Sequence, residues 1–195
     1  MRAFIKILVL IMILSSCKRS YYFEESELKW NPYKGNEILI FKSNTGFTDT
    51  VRLRGSYKTM YDVSSFGKVS YEIIKVYCND YKPNQDVLSS KDEFLEMKSG
   101  YTESASLFFS LSLKHAELQP QFHLIKNLET IKLSKICINN RTYNDVVTIK
   151  GNHEDNKNFF EQSTNQVVFW SIKEGIVRFI LEDGSIWDLV KKYSK

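Results

Sequence analysis

Cys17 is the residue most ready for chemistry in this 195-residue chain. A thiolate is a strong nucleophile and an acceptor of covalent groups. This cysteine follows Leu14, Ser15 and Ser16 at the end of an unbroken apolar run, residues 7–14. Arg2 and Lys6 stand before the run, so positive charge, apolar stretch and small residues come in secretory-signal order. The run is well short of the roughly 20 apolar residues that a membrane-spanning helix needs. Leu14 is branched and apolar, Ser15 and Ser16 are small, and Cys17 carries the one thiol of the segment.

This arrangement resembles the lipobox of bacterial lipoproteins that carry a type II signal peptide. The resemblance implies signal-peptidase recognition of Leu14, Ser15 and Ser16, cleavage before Cys17, and a diacylglyceryl group on its sulfur, with palmitate-type acylation of the new amine. Each buried CH₂ contributes about 0.8 kcal/mol, so two or three acyl chains hold a protein on a membrane where one does not. In well-studied lipoproteins an Asp after the cysteine signals inner-membrane retention; here that residue is Lys18. The Lys-, Asn-, Tyr- and Ile-rich chain resembles envelope lipoproteins of Bacteroidota, in which acidic residues at this point favour surface display. Lys18-Arg19-Ser20 lacks them. The expected location is the cell envelope, lipid-anchored to the outer membrane and facing the periplasm.

Cys78 and Cys137 remain as an even pair. The periplasm permits a disulfide, and closing about 60 residues would contribute about 4 kcal/mol in a chain-entropy account. Their neighbours Val76-Tyr77 and Ile136/Ile138 equally suit two free thiols behaving as small hydrophobes, so both readings stand. His115 and His123 flank Pro120 without an acidic residue at metal-ligand spacing, and His153-Glu154-Asp155 reads as a solvated loop tip. No metal or cofactor is expected. The chain contains no Gly-x-Ser-x-Gly elbow, Walker-type loop, Gly-x-Gly-x-x-Gly or His-Glu-x-x-His. Ser104, Ser106, Ser110 and Ser112 read as the wet face of a strand. The pairs Glu24/Glu25, Asp92/Glu93 and Glu182/Asp183 read as tether, helix start and turn.

The elements that position these residues follow from composition and period. With 43% hydrophobic, 14% aromatic and 26% charged residues, and only 8 Gly and 3 Pro, the chain can build one good core. The formal charge of +4 falls by two, to +2, once Arg2 and Lys6 leave with residues 1–16. That balance is too weak to suggest a nucleic-acid or anionic-membrane surface. Residues 17–29 read as the lipidated cysteine and a polar tether, and 30–195 as a single antiparallel β domain.

Period-two alternation predicts strands over 37–42, 48–57, 68–78, 104–114, 121–126, 129–138, 143–150, 166–172, 176–182 and 185–190. Ala105, Leu107, Phe109, Leu111 and Leu113 in register make 104–114 the clearest of these. Asn139-Asn140-Arg141, Lys173-Glu174-Gly175 and Asp183-Gly184 read as tight hairpin connections. Ser90 and Glu93 form a capping-box pattern, and Phe94, Leu95 and Met97 follow it, which predicts one short helix near 91–98. The fold class is mainly β: an antiparallel barrel, half-barrel or sandwich. The run from Tyr143-Asn144-Asp145-Val146 through Val168-Phe169-Trp170 to Asp183-Gly184 is similar to envelope lipoproteins of Bacteroidota; that resemblance implies β architecture and brings no activity.

Three functions fit these residues. The first is a lipid-anchored domain that meets the membrane through Cys17 and acts by binding an envelope protein or as a structural component. The second is a carrier or chaperone holding a hydrophobic ligand in the concave face of the sheet, suggested by Phe108 facing opposite Leu107 and Phe109. The third is an envelope hydrolase, for which no nucleophile and base are legible, so the chain is not expected to be an enzyme.

Overall fold

Alternating apolar residues punctuated by turn residues produce twelve strands and two short helices among the described residues. The computed structural model describes residues 19–62, 69–78, 93–100, 104–151 and 165–194. In chain order these hold β1 (Arg19–Tyr21), α1 (Glu25–Leu28), β2 (Glu37–Ser43), β3 (Thr48–Asp62), β4 (Val69–Cys78), β5 (Glu93–Lys98) and β6 (Ser106–Ser112). There follow β7 (Glu117–Leu124), α2 (Ile125–Thr130), β8 (Ser134–Ile138), β9 (Arg141–Lys150), β10 (Val167–Ser171), β11 (Gly175–Ile180) and β12 (Ile186–Ser194). Asn139 and Asn140 both take positive φ, 49° and 63°, the two-residue turn that matches strand twist between β8 and β9.

The strands form one antiparallel half-barrel in the order β7-β6-β5-β4-β3-β2-β12-β11-β10-β9-β8. β1 stands off this path and pairs with β4 in parallel. The C-terminal β12 pairs with β2 on one side and β11 on the other, and so joins an N-terminal run of strands to a C-terminal one. The sheet curls until strands distant in that order meet. Phe109 of β6 packs against Trp170 of β10 with ring centroids 5.1 Å apart. The Gln166 side chain receives the Gln119 N–H at 2.9 Å and donates to the Glu117 carbonyl, tying β7 to the start of β10.

The space inside the curl is filled by side chains. Trp30, Tyr33, Phe94, Phe109 and Trp170 belong to one continuous core with Leu39, Phe41, Leu95, Met97, Leu107 and Phe179. Each such side chain contributes about 1.5–3 kcal/mol when fully buried. Tyr33 bridges the halves: its ring meets Phe94 at 4.9 Å and Trp170 at 6.0 Å, and its hydroxyl oxygen accepts the Ile176 N–H at 2.8 Å. Burial pushes that hydroxyl's pKa up, so the phenol stays neutral.

Three expectations change. The segment 91–98, expected to be helical, carries β5 instead, hydrogen-bonded between β4 and β6; its predicted cap at Ser90 lies outside the described residues. A short apolar cluster is as good a central strand as a helix when two strand edges are free to receive it. A register shift leaves Phe94 as the extra residue, so its ring joins Leu95 and Met97 in the core. The reverse holds at 125–130: two strands were expected to run into this stretch, and α2 forms there, burying Ile125 and Leu128 three residues apart. Residues 19–28, expected to be tether, hold β1 and α1; Glu24 opens α1, its backbone N–H donating to Glu27 at 2.9 Å.

Gly175 opens β11 at φ 81°, and a Cβ there would overlap the Tyr33 hydroxyl and ring. Gly175→Ala is expected to lower stability by about 2–3 kcal/mol, through strain and displacement of Tyr33. Equilibrium urea unfolding checks this; a midpoint within error of wild type would refute it.

Candidate functional site

Leu14, Ser15, Ser16 and Cys17 lie outside the described residues, which begin at Arg19. What the structure describes is the place where the chain enters the fold. β1 starts two residues after Cys17 and runs parallel to β4, with Arg19 opposite Val69 and Tyr21 opposite Tyr71. β5 covers the same edge of β4 only at Ile73–Tyr77, so β1 continues the sheet where β5 stops. On the other side of β4, β3 runs out to Asp62, which pairs with Ser70. β2 accompanies β3 no further than Arg52. The outer part of the β3–β4 hairpin therefore projects from the half-barrel as a narrow ribbon with β1 along one side.

Pairing puts Tyr21, Tyr71 and Tyr61 in one row across β1, β4 and β3. The Tyr61 and Tyr71 rings are 5.4 Å apart, and Tyr57 packs edge-on to Tyr77 at 5.7 Å. Every residue from Ser56 to Asp62 is exposed on both faces of the ribbon. The length of β3 was the missed signal: alternation was read to residue 57, and Tyr61 was left out of it.

Two clefts indent the body. One, about 300 Å³, lies at the base of the ribbon among Asn36, Ile38, Arg52, Arg54, Gly55 and Tyr57. The other, about 270 Å³, is lined by Trp30, Leu128, Ile131, Leu133 and Ile172, with Lys29, Glu129, Asp145 and Lys173 at its rim. Among the described residues the indole N–H of Trp30 has no hydrogen-bond partner. Lys29 and Glu129 bridge part of that rim at 2.9 Å.

The polar clusters hold structure together. His115 Nδ1 lies 2.8 Å from the buried Asp49 carboxylate, which also accepts the His115 backbone N–H at 2.9 Å, and Phe47 stacks on the imidazole at 4.7 Å. This dyad fastens the β6–β7 turn to the start of β3. Asp145 does the same for the turn before β11, taking the Ser171 hydroxyl and the Lys173 N–H, both at 2.9 Å. Lys192 Nζ donates to the carbonyls of Pro32 and Glu174 and lies over the Tyr33 ring; burial lowers its pKa.

The expected site residues separate. Cys78 is buried in β4 and Cys137 is exposed in β8. The disulfide weighed for them is not formed: six strands stand between β4 and β8 in the sheet order. His123 stacks loosely on Phe109, away from His115, and His153-Glu154-Asp155 lies outside the described residues. Among the described residues no three His, Cys, Asp or Glu side chains gather to hold an ion. Ser110 of β6 donates to the Glu93 carbonyl at 3.0 Å, and Ser104 just before the strand donates to the Ala105 carbonyl at 3.2 Å. Among the described residues no helix is long and apolar enough to cross a membrane. The chain matches no protein-family model, and no curated protein or solved structure is similar to it.

One cluster makes a pH prediction. Lys75 lies between Glu93, at 2.8 Å, and Glu96, and Lys98 meets Glu96 at 2.7 Å. Burial alone would raise the Glu96 pKa, but hydrogen bonds from Lys75 and Lys98 outweigh it and the net shift is downward. Glu93 is shifted up, chiefly by burial, with a hydrogen bond from Lys75 alone to offset it beside the charges of Lys75 and Lys98. A carboxylate with a depressed folded pKa stabilises above its unfolded value and loses that contribution as pH falls through the folded one. Glu96→Gln is expected to flatten the loss of stability below about pH 4.5. Urea midpoints measured across the acid range test this, and an acid limb as steep as wild type would count against it.

Proposed function

We propose that the protein is a bacterial envelope lipoprotein, anchored by lipid on Cys17, whose β domain acts by binding or as a structural component of the envelope. The observation that carries this is the Leu14-Ser15-Ser16-Cys17 sequence behind a charged and apolar leader. Two or three acyl chains on Cys17 give stable membrane residence. Lys18 after the cysteine supports the outer membrane, with the domain facing the periplasm.

The filled interior supports action through the outer surface. Trp30, Tyr33, Phe94, Phe109 and Trp170 occupy the concave side that a carrier would keep open for an acyl chain or peptide. A carrier reading keeps one specific support, the apolar cleft beside Trp30. Its volume suits a small hydrophobic molecule at the low end of ligand pockets. A hydrolase reading has the Asp49–His115 dyad, which is accounted for by the turn it fastens.

In the native host, Cys17→Ser is expected to abolish incorporation of labelled palmitate and release the protein from the membrane fraction. A variant that still sediments with membranes, beside a wild type that takes up no label, would sink the lipoprotein reading. Native mass spectrometry of the mature protein separates the binding modes. A small mass lost on denaturation supports the carrier, and a bare polypeptide mass supports a surface-binding or structural role.

A further inference from the structure

The described chain enters its fold from the far end of the projecting ribbon, not from the body. β1 is parallel to β4, and Arg19, its first residue, lies opposite Val69, the first residue of β4. Asp62, the last residue of β3, is one pair further in, opposite Ser70. Only Lys18 stands between Cys17 and Arg19, two residue steps, and an extended chain covers at most about 3.6 Å per step. A lipid on Cys17 therefore lies within about 7 Å of the ribbon's outer end, whatever path residue 18 takes.

The side chains at that end suit a bilayer surface. Tyr22 is 64% exposed, Tyr61 54%, Tyr57 43% and Met60 40%. Among the described residues these are four of the nine large hydrophobic side chains left exposed, and they fall on one ribbon and its entering strand. Tyr61, Tyr71 and Tyr21 make a row two residues in from Arg19, which is itself exposed. Tyrosine has an apolar body and a wet tip, and it collects at the headgroup level of membranes. β3 is exposed on both faces from Ser56 to Asp62, while Ser70 and Glu72 beside it on β4 are buried, so the outer edge of the ribbon is the part free to meet headgroups.

We propose that the outer end of the β1–β4–β3 ribbon is a membrane-contact surface, holding the domain upright on the bilayer with Tyr21, Tyr61 and Tyr71 at headgroup level. This rests on the lipid-anchored reading of Cys17. The ribbon supplies a second, weaker attachment beside the acyl chains, and it sets which parts of the body face away from the membrane. The β2–β3 turn at Phe47 lies at the opposite end of the 15-residue β3, at most about 46 Å from Tyr61 at 3.3 Å per residue, and points into the periplasmic space.

The native tryptophans make the test clean, because Trp30, Trp170 and Trp187 are at most 1% exposed. The probe is a Tyr61→Trp variant, and the control is Phe47→Trp. Both are purified as full-length processed protein from membranes and placed in phosphatidylcholine–phosphatidylglycerol vesicles with acyl chains brominated near the glycerol. The emission that Tyr61→Trp adds over wild type is expected to fall about twofold relative to unbrominated vesicles, while the emission added by Phe47→Trp stays unchanged. Protein that floats with the vesicles but shows equal quenching at both positions, or none at 61, overturns the contact surface and leaves the anchor intact. An indole at 61 shielded from iodide yet untouched by bromolipid would place a second copy or another protein there, and also overturns it. Protein that carries no acyl group and does not float overturns the anchored reading, and the membrane contact with it.

Discussion

The pairing of β12 with β2 is the constraint on which the rest of the molecule depends. β2 begins the main sheet and β12 completes it, so the N-terminal strands β2–β7 and the C-terminal strands β8–β11 belong to one sheet only through this seam. Leu189 opposite Phe41 places apolar side chains on its inner face, and Phe41 packs on Phe179 of β11 at 5.6 Å. Arg178 and Asp188 lock β11 to β12 with two hydrogen bonds of 2.6 and 2.9 Å, a bidentate geometry stronger than a single contact. The partners are about 150 residues apart in sequence. Loop closure on that scale must precede the reward, so the seam belongs among the slower events of folding.

Once the seam holds, the curl of the sheet decides where function can be. Trp170 meets Phe109 and Tyr33 because the two halves bend toward each other, and the aromatic rings that close this space leave the outside of the fold to do the work. The ionisable groups inside or near the core are committed to joints. Glu37 receives three backbone N–H groups, from Lys34, Gly35 and Asn36, at 2.7–3.0 Å. Lys192 closes the C-terminal strand over Pro32 and Glu174. Such fully partnered groups stabilise turns and register, which is the work a buried carboxylate or ammonium can do without chemistry.

The ribbon stands apart from this economy. A two-stranded hairpin with both faces in water is marginal by itself, and a third strand is the usual remedy. β1 supplies it from the segment nearest the proposed lipid, so attachment and local order are coupled. The Ser20 hydroxyl lies 3.1 Å from that of Ser70, and Ser99 bonds both the Tyr21 carbonyl and the Glu72 N–H. A β1 loosened from this edge would leave the outer part of β4 with a free strand edge, a site for unwanted pairing.

Local pattern determined a good deal of this. Alternation from Ala105 to Leu111 states a strand with one buried face, and Asn139-Asn140 and Asp183-Gly184 state tight connections, because side-chain direction and left-handed φ are properties of a few neighbouring residues. The proposed lipobox is local in the same way, being four neighbouring residues that end at Cys17. Where a partner lies far off in the chain, local reading runs out. Phe94-Leu95-Glu96-Met97 is a strand because β4 and β6 hold open edges for it, and Glu96 is tolerated there because the pairing sets Lys75 opposite it, with Lys98 two residues along the same strand. Arg19–Tyr21 is ordered because β5 stops short on β4. Cys78 and Cys137 stay apart because the sheet order separates their strands. Side-chain period is written into neighbouring residues; strand order, curl and the row of tyrosines at the ribbon's end arise only when distant edges compete for the same hydrogen bonds.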